Sequence, residues 1–170
     1  MRKLIVLAVP VMTAGAAHAG GIELTVEIPK LSVAEYHRPY VAIWIEDASG
    51  KVAANLSVWY DVDLKDSEGE KWLKDIRQWW RRTGRTLDMP VDGVSGPTKA
   101  PGVAKVSFPS DTGALASLAP GSCKLIVEAT REVGGKEMVE VPFTWAPGTE
   151  ATASAKGKEE LGAITLKLTK

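Results

Sequence analysis

The stretch that decides the fold is YVAIWIEDASGKVAANLSVWYD, residues 40–61. Its first part, 40–46, alternates branched aliphatic side chains with other types, which is the period-two pattern of a half-buried strand. Asp47-Ala48-Ser49-Gly50 has the composition of a turn, and 51–61 then reads as the returning strand. The sequence therefore predicts a β-hairpin at the centre of a β-rich fold.

Further segments repeat this alternation and are separated by glycine and proline turns. They are 20–28, 103–108, 123–131, 136–145 and 161–168. Short strands at regular spacing predict a mainly β protein, an immunoglobulin-like β-sandwich with one helical insertion and a long loop. The small, polar stretch 147–158 is interpreted as a surface loop.

Helical periodicity occurs once, at 70–83, where apolar residues recur every three or four positions. Ser67 and Glu70 have capping-box spacing, and Gly84 suits the C-terminal stop. The tryptophans on this helical face are Trp72, Trp79 and Trp80. They are interpreted either as core or as stacking surfaces for a flat ligand.

Two more tryptophans lie in the hairpin. Trp44 lies two residues before Glu46, and Trp59 lies two and four residues after Ser57 and Asn55. Because each shares parity with polar neighbours, both are expected on the outer face of the sheet, beneath the helix.

The N-terminus predicts export. Arg2 and Lys3 precede an apolar run, and Ala17-His18-Ala19 resembles a cleavage site, so 1–19 is predicted to be a signal peptide. Residues 20–170 then form one periplasmic β-sandwich domain. No later apolar run approaches the roughly 20 residues that a membrane-spanning helix needs.

Charge and residue content exclude several function classes. The chain has 21 basic and 21 acidic residues, whereas nucleic-acid binding calls for a clear basic excess. After cleavage His37 is the sole imidazole, which disfavours zinc and haem, and Lys65 and Asp66 stand where an EF-hand loop needs a ligand and a glycine. Ser95 lies outside any Gly-x-Ser-x-Gly elbow, so a hydrolase is disfavoured.

The single cysteine, Cys123, lies in an alternating strand pattern. A free cysteine in such a position is usually a small buried hydrophobe. No internal disulfide framework is expected.

The region 85–102 loses periodicity and is punctuated by glycine and proline, and long loops of this kind are usually functional or disordered. Arg81, Arg82 and Lys99 flank it and suit a phosphate group. The alternative is a solvated helix end whose cations complement the helix dipole.

Three stretches resemble a family of predicted periplasmic proteins, domain of unknown function 2271. They are RPYVAIWIED at 38–47, KWL at 71–73 with WW at 79–80, and VEATRE at 127–132 with GG at 134–135. The resemblance covers nearly the whole mature chain and implies a periplasmic location without an established activity.

The loop DGVSGPT, 92–98, resembles the acceptor motif of proteins modified by the FAD:protein FMN transferase. In that resemblance Asp92 matches the motif's Asp, Ser95 its hydroxyl position and Gly96 its Gly. Thr98 is the acceptor, and Pro97 replaces the usual Ala. The alternative interpretation is that Asp-Gly and Ser-Gly-Pro are ordinary turn signals.

These observations lead to one functional expectation and one alternative. The first is an accessory protein of a membrane-linked redox system, with FMN covalently attached through Thr98. Its partners would be the transferase and a membrane redox protein. Arg81, Arg82 or Lys99 would hold the phosphate, and a tryptophan such as Trp80 would pack the ring. The alternative is a non-catalytic periplasmic interaction module; in both, an electron carrier or binding module is expected rather than a substrate-transforming enzyme.

Overall fold

The structure, a computed structural model, describes residues 20–170; the predicted signal peptide lies outside the described residues. The described chain begins and ends with strands, and short helical elements lie between the third and fourth strands and between the fifth and sixth. The strands are β1 (Gly21–Ile28), β2 (Tyr40–Asp47), β3 (Val52–Tyr60), β4 (Ser95–Pro97), β5 (Gly102–Pro109), β6 (Gly121–Thr130), β7 (Lys136–Trp145), β8 (Ala151–Lys156) and β9 (Ala163–Leu168). The helical elements are a 3₁₀ helix at Lys65–Asp75, α1 at Arg77–Arg82, and 3₁₀ turns at Gly84–Thr86 and Gly113–Leu115.

The strands form two sheets, ordered β5-β1-β9-β8 and β4-β3-β2-β6-β7. Neighbouring strands are antiparallel, except that β4 runs parallel to β3. The main core lies between the sheets, where alternate side chains of β1, β2, β6 and β9 meet. This arrangement confirms the predicted β-sandwich with a short helical insertion.

The hairpin β2–β3 is buried on both faces, because the helical insertion covers its outer side. Val41 and Ile43 face the inter-sheet core, whereas Trp44 faces the outer cluster beneath the helices, as predicted. The prediction for Trp59 is wrong, since it packs between the sheets. The register passes from Ile43↔Ser57 to Trp44↔Asn55, and the bulge at this step reverses the alternation that the sequence suggested.

The predicted continuous helix over 70–83 is wrong. Asp66 and Ser67 have left-handed φ values of 55° and 53°, so the expected cap at Ser67 does not form. Ile76, with ψ of 78°, then separates the 3₁₀ helix from α1. The tryptophan face divides as a result, with Trp79 buried and Trp72 50 % exposed.

A carboxylate from the sheet positions α1. Glu128 of β6 is buried, and it accepts hydrogen bonds from the backbone N–H groups of Gln78 and Trp79 at 2.9–3.0 Å. The Trp79 indole Nε1 donates to Asn55 at 3.0 Å. Because two strands hold a helix of only six residues, its position is fixed by the sheet rather than by helix propensity.

Two elements arise in regions that were interpreted as loops. β8, Ala151–Lys156, pairs along its length with β9, so the prediction of a loop over 147–158 is wrong there. β4, Ser95–Pro97, lies inside the long irregular region and pairs with β3. Both are sheet edges, where pairing depends on a distant partner strand rather than on a strong local pattern.

Candidate functional site

The short strand β4 attaches the predicted acceptor loop to the sheet edge. Val58 N–H donates to Val94 at 2.8 Å, and Thr98 N–H donates to Tyr60 at 3.2 Å. Since the residues that bond β3 alternate, the backbone of Pro97 is directed away from it. The missing N–H of Pro97 therefore removes no ladder hydrogen bond, as edge strands allow.

Thr98 follows β4 immediately and is half-buried. Its hydroxyl donates to Asp61 Oδ1 at 3.3 Å, and the Tyr40 hydroxyl donates to Asp61 Oδ2 at 3.3 Å. Burial is the main cause that raises the pKa of Tyr40 to about 12, so the phenol remains a proton donor at neutral pH. Asp61 thus links the Thr98 hydroxyl to the first residue of β2.

The other motif residues have structural environments of their own. The Ser95 hydroxyl accepts a hydrogen bond from the Val91 N–H at 2.9 Å, which closes the turn before β4. Gly96 pairs with Trp59 in the ladder, and Asp92 is exposed on the turn. Of these three residues, none donates a side-chain hydrogen bond to Thr98 within the described part of the chain.

The predicted phosphate-binding cations do not converge. Arg82 Nη1 lies 2.7 Å from Glu46 Oε1 and 3.1 Å from the Gly50 carbonyl, at the start of β3. Thr98 lies at the other end of that nine-residue strand, which is about 25 Å away at roughly 3.3 Å per residue. The neighbouring Arg81 donates to the Arg77 carbonyl at 3.3 Å.

Lys99 differs from the arginines because it follows Thr98 directly. Its Nζ lies 5.4 Å from the centroid of the Trp59 ring, a cation–π arrangement at the sheet edge. Trp80, the predicted ring-packing residue, is half-buried beside Trp79, with ring centroids 6.3 Å apart. Of the predicted phosphate ligands, Lys99 is thus the one adjacent to the acceptor.

An open cavity of about 640 Å³ lies at the end of the outer sheet face, next to Asp61. Its walls come from the segment before β2, the end of β3, the 3₁₀ helix and the β6–β7 turn. Among residues 20–170 six large apolar side chains are exposed, and Leu64, Trp72 and Val133 of these line this cavity. Pockets of this size commonly bind small molecules.

The charges of the cavity are mixed. Arg131 is buried in a pair with Glu160, with Nε to Oε2 at 3.0 Å, and this bond raises the pKa of Arg131. Its Nη1 atom has no hydrogen-bond partner within residues 20–170. Arg38 and Lys136 line the cavity without an ion pair among the described residues. The wall therefore offers cations beside an aromatic and aliphatic surface.

The residues of this cavity were not assigned to a site from the sequence. Asp61 is the last residue of the predicted returning strand 51–61, and Tyr40 is the first residue of the predicted strand 40–46. One signal was present, because the three stretches that carry the family resemblance supply Arg38, Trp72 and Arg131 to the same cavity. Nothing in the spacing of these stretches indicates that they meet, so the site needed the fold.

Comparison with known proteins gives a family. A family model described as "Predicted periplasmic protein (DUF2271)" matches residues 21–163, most of the chain. No curated protein and no solved structure matches the chain significantly. Within residues 20–170 none of the helices has the length and hydrophobicity required to span a membrane.

Proposed function

From the premise that this chain belongs to the DUF2271 family of predicted periplasmic proteins, we propose that it is a redox accessory protein. It carries FMN esterified to Thr98 and passes electrons to a membrane partner. The observation that carries the proposal is that the Thr98 hydroxyl donates to Asp61, which lines the cavity.

The chain's own groups suit the attachment chemistry. Thr98 Oγ1 bonds to the FMN phosphorus of FAD, the diphosphate P–O bond breaks, and AMP leaves with that electron pair. The hydroxyl proton passes to a base, and Asp61 Oδ1 is the acceptor that this hydroxyl already faces. The transferase would supply the FAD.

After attachment the ester oxygen no longer donates to Asp61. A phosphate beside that carboxylate then needs a compensating cation. Lys99 is adjacent in sequence, and Arg38 lines the same cavity as Asp61. Arg81 and Arg82 are assigned no contact with the phosphate, because both end α1 and Arg82 is paired with Glu46 at the far end of β3.

The flavin supplies one- and two-electron transfer, and the protein holds and orients it. The edge of the sheet suits that role, because two backbone hydrogen bonds to β3 hold the segment around β4, one of them from the Thr98 N–H itself. A fixed attachment point keeps the distance to a docked partner constant.

The experiment is the intact mass of the mature protein after coproduction with the transferase in the periplasm. Wild type and Thr152→Ala, a control at an exposed threonine of β8, should both gain the mass of one FMN adduct. Thr98→Ala should gain none. An adduct that persists in Thr98→Ala would place the attachment elsewhere, and no adduct on wild type would refute the proposal.

A second candidate function is a non-catalytic interaction module. The concentration of Leu64, Trp72 and Val133 on one surface favours it, because exposed apolar patches often mark protein interfaces. Colourless wild-type protein after coproduction, together with the loss of a membrane partner on Trp72→Ala, would support this function instead.

A further inference from the structure

We infer that the cavity bounded by Tyr40, Leu64, Trp72 and Arg131 seats the planar isoalloxazine ring of the flavin. This inference deepens the proposed function, on which it rests for the identity of the ring. It assigns a binding surface outside the motif that first pointed to a flavin.

The cavity wall exposes large apolar side chains. Trp72 is 50 % exposed and Leu64 45 % exposed, although both belong to a region in which Leu73 and Ile76 are fully buried. An exposed indole and an exposed leucine in one cavity wall leave apolar area in water, and burying such area is favourable by about 25 cal/mol per Å². A flat aromatic ligand recovers that area and stacks on the indole.

Asp61 connects the proposed attachment residue to the cavity. Asp61 both lines the cavity and accepts the hydrogen bond of the Thr98 hydroxyl at 3.3 Å. A phosphate on Thr98 therefore starts beside Asp61, one residue of the cavity wall, and a ribityl chain of five carbons leads from it. The ring is thereby restricted to the surroundings of Asp61, where this cavity offers an aromatic wall.

The charged residues of the cavity wall also suit a flavin. The reduced flavin ring and its phosphate are anionic, and Arg38 and Lys136 line the cavity without ion pairs among residues 20–170. The carboxylates Asp75 and Glu132 are on the same wall, and His37 faces Glu132 at 3.6 Å. With Asp61, these carboxylates equal in number the basic residues of the wall, which are Arg38, Arg131 and Lys136. The surface has no basic excess and suits a ligand that presents both polar edges and an apolar face.

The test uses unmodified full-length mature protein, made without the transferase and titrated with free FMN. Binding is followed by the anisotropy of flavin fluorescence. Trp72→Ala should weaken FMN binding by about fivefold, equivalent to about 1 kcal/mol, because the stacking partner of the ring is lost. The control Val103→Ala removes an exposed side chain from β5, in the other sheet, and should bind as wild type does.

Two further readings make the outcome decisive. Excess inorganic phosphate should weaken FMN binding less than Trp72→Ala does, because the ring provides most of the contact; complete displacement of FMN by phosphate would overturn the inference. No saturable binding by wild type, or equal affinity of Trp72→Ala, would also overturn it. The adduct mass is measured separately, so FMN binding without an adduct refutes the proposed attachment alone, and an adduct without binding refutes the ring seat alone.

Discussion

Glu160→Ala should be among the most destabilising substitutions of this protein. Glu160 lies just before β9, and its carboxylate accepts two hydrogen bonds from Arg131 at the end of β6, each 3.0 Å. It also accepts the Gly135 N–H at 2.8 Å. The pair thus joins the last strand of one sheet to the β6–β7 turn of the other.

The magnitude follows from burial. The side chains of Arg131 and Glu160 are 6 % and 4 % exposed. Removal of the carboxylate leaves a guanidinium without its counter-charge at a buried position, which costs about 3–5 kcal/mol. At a urea dependence of about 2 kcal/mol per M, the unfolding midpoint should fall by roughly 1.5–2.5 M.

The assay is urea unfolding followed by tryptophan fluorescence. Glu140→Ala is the matched control, because it removes the same group from the 2.8 Å pair with Lys124, whose side chains are 50 % and 43 % exposed. Water screens the charges of an exposed pair, so the control should change the midpoint little. The double variant Arg131→Met/Glu160→Leu should be more stable than Glu160→Ala, since it removes both charges together.

Two results would refute this reasoning. One is a loss for Glu160→Ala no larger than that for Glu140→Ala, which would mean that the pair is solvated. The other is a double variant as unstable as the single one, which would assign the loss to the missing acceptor for the Gly135 N–H rather than to the unbalanced charge.

Glu128→Ala should destabilise the protein by about 1–2 kcal/mol in the same urea assay, because the first N–H groups of α1 lose their acceptor; an unchanged midpoint would contradict this. Gly84→Ala should cost about 1–3 kcal/mol, since an added Cβ would lie 2.5 Å from the Trp79 ring, whereas Gly96→Ala, with its nearest atom at 3.9 Å, should cost less. Burial alone would raise the pKa of Glu137, but the backbone N–H groups of the turn before β9 outweigh it and lower that pKa. The stability from Glu137 is therefore present above about pH 4.5 and is lost as the pH falls through the lowered pKa, so Glu137→Gln should flatten that part of a plot of unfolding free energy against pH.

The sequence predicted the strands that carry strong alternation, because one buried face imposes a period of two whatever the partner strand is. β1, β2, β6 and β9 were found in this way, and the sandwich follows from their number and spacing. The same pattern was misleading at Trp59, since a bulge in β3 changes the face of every later residue, and its position depends on pairing with β2.

The helical insertion shows a similar limit. Its apolar residues recur at helical spacing, yet the left-handed Asp66 and Ser67 and the break at Ile76 make two short helices instead of one. The buried Glu128, which lies about 50 residues later in the chain, decides where α1 begins. Local propensity carries no information on that contact.

The sequence by itself determined the β-sandwich and the family, and it led to the proposal of Thr98 as the acceptor, because these depend on local patterns and motifs. Only the tertiary structure decided which groups surround Thr98. In the fold, Arg82 lies at the far end of β3 from Thr98, whereas Asp61, Trp72 and Arg131 line one cavity. The physical reason is that strand pairing and burial join segments tens of residues apart, so a site built from strand ends exists only once the sheets have formed.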